Sequence, residues 1–259
     1  MKIALAQINP IIGDISGNSQ KIARMISSAR QAGADLVVFS ELSLLGYPPR
    51  DLLVRQSFIS ASVDAVERLA KQCKGVAALV GYVRPADTSK PGRRLENAAA
   101  LLVDGAVAAV HVKTLLPTYD VFDETRYFRP GPMPAPIELN GHRIGVTICE
   151  DLWDPAALGE MLYESDPVFH LREQGAEVII NMSASPFQLG KSSLREEMIR
   201  RQVDRTGLPI VYVNQAGGND ELIFDGGSMV ISADGTLLGR CKSFQEDFLV
   251  VDTDAQPVR

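Results

Sequence analysis

Three residues of this 259-residue chain could do chemistry together. Cys149 closes the run Gly145-Val-Thr-Ile-Cys149, and Glu150, Asp151, Trp153 and Pro155 follow at once. Small and β-branched residues predict a buried strand that ends at Cys149, with a sharp turn behind it. A thiol at a strand end, opening into a loop, is placed to be a nucleophile. The same position also suits a cysteine that merely packs in a core. Glu41 and Lys113 repeat the pattern. Leu36-Val-Val-Phe39 runs into Ser40-Glu41, and the strand from Ala106 to His111 runs on to Lys113. Taken singly, each fits a solvated loop residue. Taken together they form a usable set. A free thiol with a pKa near 8.5 is only about 3% thiolate at pH 7. A carboxylate can take its proton, and a lysine can hold the negative charge that then develops.

The elements that must position these residues are readable in outline. Lys2 to Gln7 predicts a strand, followed by a helix capped by Asn18, with Ile22, Met25, Ile26 and Ala29 on one face and Gly33 as its stop. Leu36 to Phe39 is apolar throughout and reads as a central strand. Gly46-Tyr47-Pro48-Pro49 is a rigid turn, 58–71 a helix, and 76–83 a strand. Asp104-Gly105 joins strands 97–103 and 106–111 as a hairpin. A long loop rich in proline and aromatic residues spans 116–136. Asn140-Gly141 turns into the Cys149 strand. A helix over 167–174, a strand over 178–181, a helix opened by a Ser193/Glu196 capping box and ending near Thr206, and strands over 209–214, 228–231 and 248–252 complete the pattern. In an α/β sheet, strand ends of this kind gather at one edge, where sites form. The fold class is α/β with mixed sheets.

Composition narrows the function classes. The chain is 46% hydrophobic and 22% charged, which supports a full core, and its formal net charge is −6. No basic run marks a nucleic-acid footprint, and no apolar segment approaches the length that crosses a membrane. The N-terminus enters a strand pattern directly, unlike a signal peptide. Cys73, Cys149 and Cys241 are too few and too far apart for a disulfide framework or a zinc site. A cytoplasmic location is the expectation.

The motifs Phe39-Ser-Glu41-Leu, His111-Val-Lys113-Thr-Leu-Leu-Pro117 and Thr147-Ile-Cys149-Glu-Asp-Leu-Trp153 resemble those of the nitrilase, or carbon–nitrogen hydrolase, superfamily. The resemblance covers nearly the whole chain. Four further stretches resemble, more narrowly, the glutaminase domain of the glutamine-dependent NAD synthetase family. They are Gly46 to Leu53, Leu116 to Glu124, Asn181 to Phe187 and Gly217 to Gly227. This resemblance implies a nitrilase-like four-layer αββα sandwich formed by residues 1–259 as one domain. It implies a cysteine amidase that releases ammonia from glutamine with Cys149 as nucleophile, Glu41 as base and Lys113 as oxyanion partner. It places Tyr119, Glu150, Ser185 and Lys191 at the glutamine, where relatives carry arginine at the last position; lysine keeps the charge and loses the planar fork. It also implies a homo-oligomer.

No metal or organic cofactor is expected for this half. The family joins it to a C-terminal domain that uses ATP and Mg²⁺ to convert nicotinic acid adenine dinucleotide to NAD. The Ser-Gly-Gly-x-Asp-Ser pyrophosphate loop of that domain is absent from the sequence, and Gly226-Gly227-Ser228 reads as a hairpin turn. The end of the chain, Ala255 to Arg259, follows a strand with no helix after it, as expected of a piece of something longer. Two rivals stand beside this expectation. One is a stand-alone amidase of the same superfamily acting on another small amide. The other is a non-catalytic regulatory or binding subunit, for which an intact Glu41, Lys113 and Cys149 would serve no purpose.

Overall fold

The computed structural model describes residues 1–89, 91–153 and 163–254. Asp154 and Pro155 of the turn after Cys149, and the terminal stretch 255–259, lie outside the described residues. Two six-stranded sheets carry the fold. The first runs β14 (Asp247–Asp252), β1 (Lys2–Gln7), β2 (Leu36–Val38), β3 (Ala77–Pro85), β4 (Leu95–Val103) and β5 (Ala106–Val112). The second runs β13 (Leu237–Arg240), β12 (Met229–Ile231), β9 (Ile210–Asn214), β8 (Val178–Ser183), β7 (His142–Ile148) and β6 (Ile137–Leu139). Each has a parallel trio at its centre, β1-β2-β3 and β7-β8-β9, with antiparallel strands outside. β14 pairs antiparallel with β1 and so ties the end of the described chain to its beginning.

Side-chain alternation decides which face meets which layer. In β1, Ile3 and Leu5 enter the core between the sheets, while Ala4 and Ala6 face outward to the helices. β2 repeats this with Leu36 and Val38 against Val37, and β3 with Ala77 and Leu79 against Ala78 and Val80. On the other sheet Ile144, Val146, Ile148, Val178, Ile180 and Val211 point inward, and Ile179, Ile210 and Tyr212 point outward. Helices α1 (Ile15–Gln31) and α2 (Gln56–Ala70) cover the first sheet; α3 (Pro167–Glu173) and α4 (Lys191–Thr206) cover the second. The layers are therefore helix, sheet, sheet, helix, the αββα sandwich that the resemblance implies. The central strands β1, β2, β3, β7, β8 and β9 are largely buried on both faces because both faces are covered.

Several local expectations change. Asp14, not Asn18, caps α1, accepting from the Gly17 N–H at 2.8 Å. Asn18 is buried and instead bonds both backbone groups of Ile11 and the Leu44 carbonyl. The Ser193/Glu196 capping box does not form. α4 starts two residues before Ser193 behind Gly190 (φ 82°), and Glu196 pairs with Arg200 and Arg240. Gly226 and Gly227, at φ 64° and 66°, do not close a hairpin. They carry the chain from β11 (Leu222–Asp225), which pairs with β10 (Ala216–Asn219), into β12 of the second sheet. Strands β6, β10, β11 and β13 are short and lie at edges or outside the sheets, where weak patterning leaves little signal.

Candidate active site

Glu41 arrives by a close crossing. β2 ends at Val38, and the next residues pass over β3 at Gly81. A Cβ at Gly81 would sit 2.5 Å from the Leu42 nitrogen and 2.6 Å from the Ser40 oxygen, so glycine is required there. The Glu41 carboxylate then accepts three hydrogen bonds. Asn97 Nδ2 and Lys113 Nζ reach Oε1 at 2.7 Å each, and the Ala184 N–H reaches Oε2 at 3.2 Å. Lys113 follows β5 and is held by its own backbone, through its N–H to Asn97 and its carbonyl to the Gly131 N–H. Its ammonium bonds Glu41 and also Glu124 Oε1 at 2.7 Å, and Tyr47 donates to that same Glu124 oxygen at 2.8 Å. Glu124 comes from a 3₁₀ turn at Glu124–Arg126.

This cluster holds two carboxylates and one ammonium, all essentially out of solvent. Buried charges persist when they are paired and hydrogen-bonded. Burial alone would lower the Lys113 pKa, but Glu124 and Glu41 outweigh it and hold the ammonium well above the ordinary lysine range. Burial pushes the Glu124 carboxyl up to about 7 against the pull of Lys113, with Glu41 adding to the rise.

Cys149 sits at the end of β7 with φ 47°, a left-handed backbone that few non-glycine residues adopt. Such a conformation costs about 1–2 kcal/mol and is kept only where the surroundings enforce it. Asp151 is one enforcer. Its Oδ2 accepts from the Ile148 N–H at 3.0 Å, and its Oδ1 accepts from the N–H groups of Thr114 and Leu115 at 3.0 and 2.7 Å. One buried carboxylate therefore ties the Cys149 elbow to the segment that carries Lys113. Asn181 of β8 holds the other side, donating to the Cys149 carbonyl at 3.3 Å and to Thr147 Oγ1 at 3.1 Å. Burial pushes the Cys149 thiol well above its ordinary value; Glu41 adds to the rise and Lys113 opposes it. The resting group is thus a thiol, with even less thiolate than the free-cysteine value suggests. Cys73 and Cys241 are buried in the cores, and burial raises them to about 11 and about 12.

The thiol opens into a cavity of about 450 Å³. Tyr119, Glu150, Ser185 and Lys191 line it as well, so every residue expected at the substrate faces one space with Cys149. Tyr119 donates to both Glu150 oxygens at 2.8 and 2.9 Å, and Tyr163 also bonds that carboxylate. Burial raises the Glu150 pKa despite these donors. Ser185 Oγ accepts from Arg195 Nη2 at 3.4 Å, and its N–H bonds Asn214 Oδ1 at 2.9 Å. Arg195 is buried in a two-point pair with Asp225 at 3.2 and 3.1 Å. Lys191 is the first residue of α4, and burial lowers its pKa. A second cavity, about 330 Å³, reaches Tyr47 and Glu124 but not the thiol. Among the described residues no cluster of three or more His, Cys, Asp or Glu side chains is placed to hold a metal.

Sequence reasoning assigned no role to Glu124, Asn97, Asp151, Asn181 or Arg195. Glu124 lay in the aromatic loop 116–136, where one acid among several carries no periodic signal. Asn97 lies inside an apolar strand run, and that was its available signal: a polar residue in a covered strand needs a buried partner.

A family profile for carbon–nitrogen hydrolases matches residues 2–259. The glutamine-dependent NAD(+) synthetase of Synechocystis sp. is 44% identical over 256 residues, covering 97% of this chain and 46% of that protein. The glutamine-dependent NAD+ synthetase from Acinetobacter baumannii, solved with ADP, matches with a TM-score of 0.87 at 36% identity, covering 96% of this chain and 44% of that one. The NitN amidase from Nesterenkonia sp. AN1 shares the fold, with a TM-score of 0.80 at 24% identity, covering 97% and 92% of the two chains. The chain thus spans less than half the length of the two synthetases.

Proposed function

The chain belongs to the carbon–nitrogen hydrolase family, and from that premise we propose that it hydrolyses the side-chain amide of glutamine through Cys149, Glu41 and Lys113. One observation supports this above others. Cys149 shares a cavity with Tyr119, Glu150, Ser185 and Lys191, and the charges of Glu41 and Lys113 both act on its thiol.

Glu41 takes the Sγ proton as sulfur attacks the amide carbon. The carbonyl electron pair moves onto oxygen. An ammonium has three N–H donors, and Lys113 commits two of them to Glu41 and Glu124. The third is free for the oxyanion, aided by the backbone N–H that follows Cys149. Collapse breaks the C–N bond, and Glu41 gives its proton to the leaving ammonia. A γ-glutamyl thioester remains on Cys149. Water then passes a proton to Glu41 and its oxygen to the thioester carbon. The C–S bond breaks, sulfur takes the proton back, and glutamate leaves. Glu150 positions the carboxamide, while Tyr119, Ser185 and Lys191 hold the rest of the substrate, Lys191 through its charge.

The ammonia feeds ATP- and Mg²⁺-dependent conversion of nicotinic acid adenine dinucleotide to NAD on a C-terminal synthetase region outside this chain. The half-length match to synthetases supports that part. The test is release of glutamate and ammonia from glutamine by the protein and by Cys149→Ala. Turnover that survives loss of the thiol overturns the assignment. Faster hydrolysis of a simple aliphatic amide than of glutamine would favour the stand-alone amidase, as would a coding sequence that stops at Arg259 without a pyrophosphate-loop domain.

A further inference from the structure

We infer that Asp120 is a specificity-determining residue that binds the α-ammonium of the substrate, so that the cavity selects an amino acid amide over an amide lacking that charge. This rests on the glutaminase reading above. Asp120 lines the same cavity as Cys149 and follows Tyr119 directly. Its backbone is left-handed, at φ 53°. Asp and Asn are the non-glycine residues that tolerate this best.

The charges around the cavity leave Asp120 open. Glu150, the other carboxylate on the wall, is already bonded by two tyrosine hydroxyls. Among the described residues the Asp120 carboxylate has a single partner, the Gln188 amide, which donates to Oδ2 at 3.3 Å. The other Asp120 oxygen has no hydrogen-bond partner among the described residues. Lys191 lines the cavity with the opposite charge, and the two do not meet in an ion pair. They are close enough for Asp120 to raise the proton affinity of Lys191. An amino acid head group carries one ammonium and one carboxylate on the same carbon. A lysine and an aspartate on one wall, near each other but unpaired, offer one partner to each. Asp120 is exposed to solvent, at a cavity whose walls also include the apolar side chains of Phe122, Trp153 and Leu194.

The test compares L-glutamine with glutaramic acid, the same amide without its α-amino group, on the wild-type protein and on Asp120→Asn. Asparagine keeps the left-handed backbone and can still accept from Gln188. A lost charge-assisted hydrogen bond predicts a KM for L-glutamine raised about ten- to hundredfold, with kcat within about twofold. For glutaramic acid, kcat/KM should stay level or rise, since a nearby negative charge has been removed. Asp120→Glu should restore part of the preference for glutamine. Equal losses on both amides would mean that Asp120 only shapes its loop, and no loss on glutamine would mean that it is a solvated surface acid. Either result overturns the inference while leaving glutaminase activity standing. A wild-type protein that hydrolyses neither amide removes the glutaminase reading and the inference with it.

Discussion

In the proposed reaction Glu41 moves a proton twice, and its carboxylate accepts three hydrogen bonds that a substitution would disturb. In Glu41→Gln the amide oxygen can still accept from Asn97 and Lys113. The new NH₂ then faces the Ala184 N–H, donor against donor. Some stability, about 1–3 kcal/mol, is lost with the base. Acylation and deacylation should each slow by roughly 10²–10⁴, so quenched samples incubated with glutamine should show a γ-glutamyl adduct on Cys149 by mass spectrometry. Normal clearance of a preloaded thioester would leave Glu41 as a mere holder of Lys113. Lys113→Ala should lower kcat by roughly 10²–10³, and Lys113→Arg should rescue little, because a planar fork cannot serve two carboxylates and an oxyanion from one point. Glu124 gives the pH dependence. Its folded pKa, about 7, lies above the ordinary carboxyl value of 4.5. The folded protein therefore holds more protons than the unfolded one between those values, and this group's contribution to stability falls as pH rises through that window. The loss is on the order of 3 kcal/mol across it. Glu124→Gln should flatten the slope in urea titrations run from pH 4.5 to 7. The glutamine carbonyl can keep both donors at the Oε1 position, while its NH₂ at the unpartnered Oε2 position adds a constant cost of about 1–3 kcal/mol that does not vary with pH.

At the scale of elements, the site depends on close crossings more than on long contacts. The loop after β2 clears β3 only because residue 81 has no side chain. Gly81→Ala should force that loop outward, at the cost of about 1–3 kcal/mol usual for overpacking. Its kcat should fall more than its stability explains, because Glu41 rides on the displaced segment. Thermal unfolding and glutaminase kinetics on the same sample check this; an alanine variant with normal kcat would show that the crossing is tolerant. The strands β1, β2, β3, β7, β8 and β9 were legible in the sequence, since apolar runs of that length bounded by turns have few other readings. The cap of α4 was not. Ser193 and Glu196 have the spacing of a capping box, yet Gly190 starts the helix earlier and Glu196 is drawn to two arginines. Tertiary pairing overrode a local preference worth about 1 kcal/mol.

Over the whole molecule, one hydrogen-bonded chain links the two sheets at the end that holds the site. Gln7, the last residue of β1, accepts from both the N–H and the hydroxyl of Ser228 and donates to the Lys242 and Gln245 carbonyls. Ser228 bonds the backbone of Asn214, whose side chain holds Ser185 in the cavity wall. Gln7→Leu should strand these buried groups, at about 1–3 kcal/mol for each one left unpaired. It should also raise KM for glutamine through Ser185 with less effect on kcat. Denaturant unfolding with steady-state kinetics reads both, and an unchanged KM would confine Gln7 to stability.

The sequence by itself determined the apolar runs of the central strands, the elbow at Cys149 and the identity of the residues that could carry a proton. These are local properties: an apolar run bounded by turns, a turn after it, a thiol, a carboxylate, an ammonium; which face of each run meets the other sheet came from the packing. It also carried the motif order by which the family was read. Strand ends were expected to gather at one edge of a sheet, and that picture was incomplete. Glu41 and Lys113 leave the first sheet, while Cys149 leaves the second. Only the packing of sheet on sheet brings them together, because the inward faces must bury one another and so set the two strand edges side by side. The same packing drew in Glu124, Asn97 and Asp151, whose partners lie far away along the chain. A buried ammonium needs its carboxylates wherever the fold can supply them, and that requirement leaves no mark in the spacing of residues.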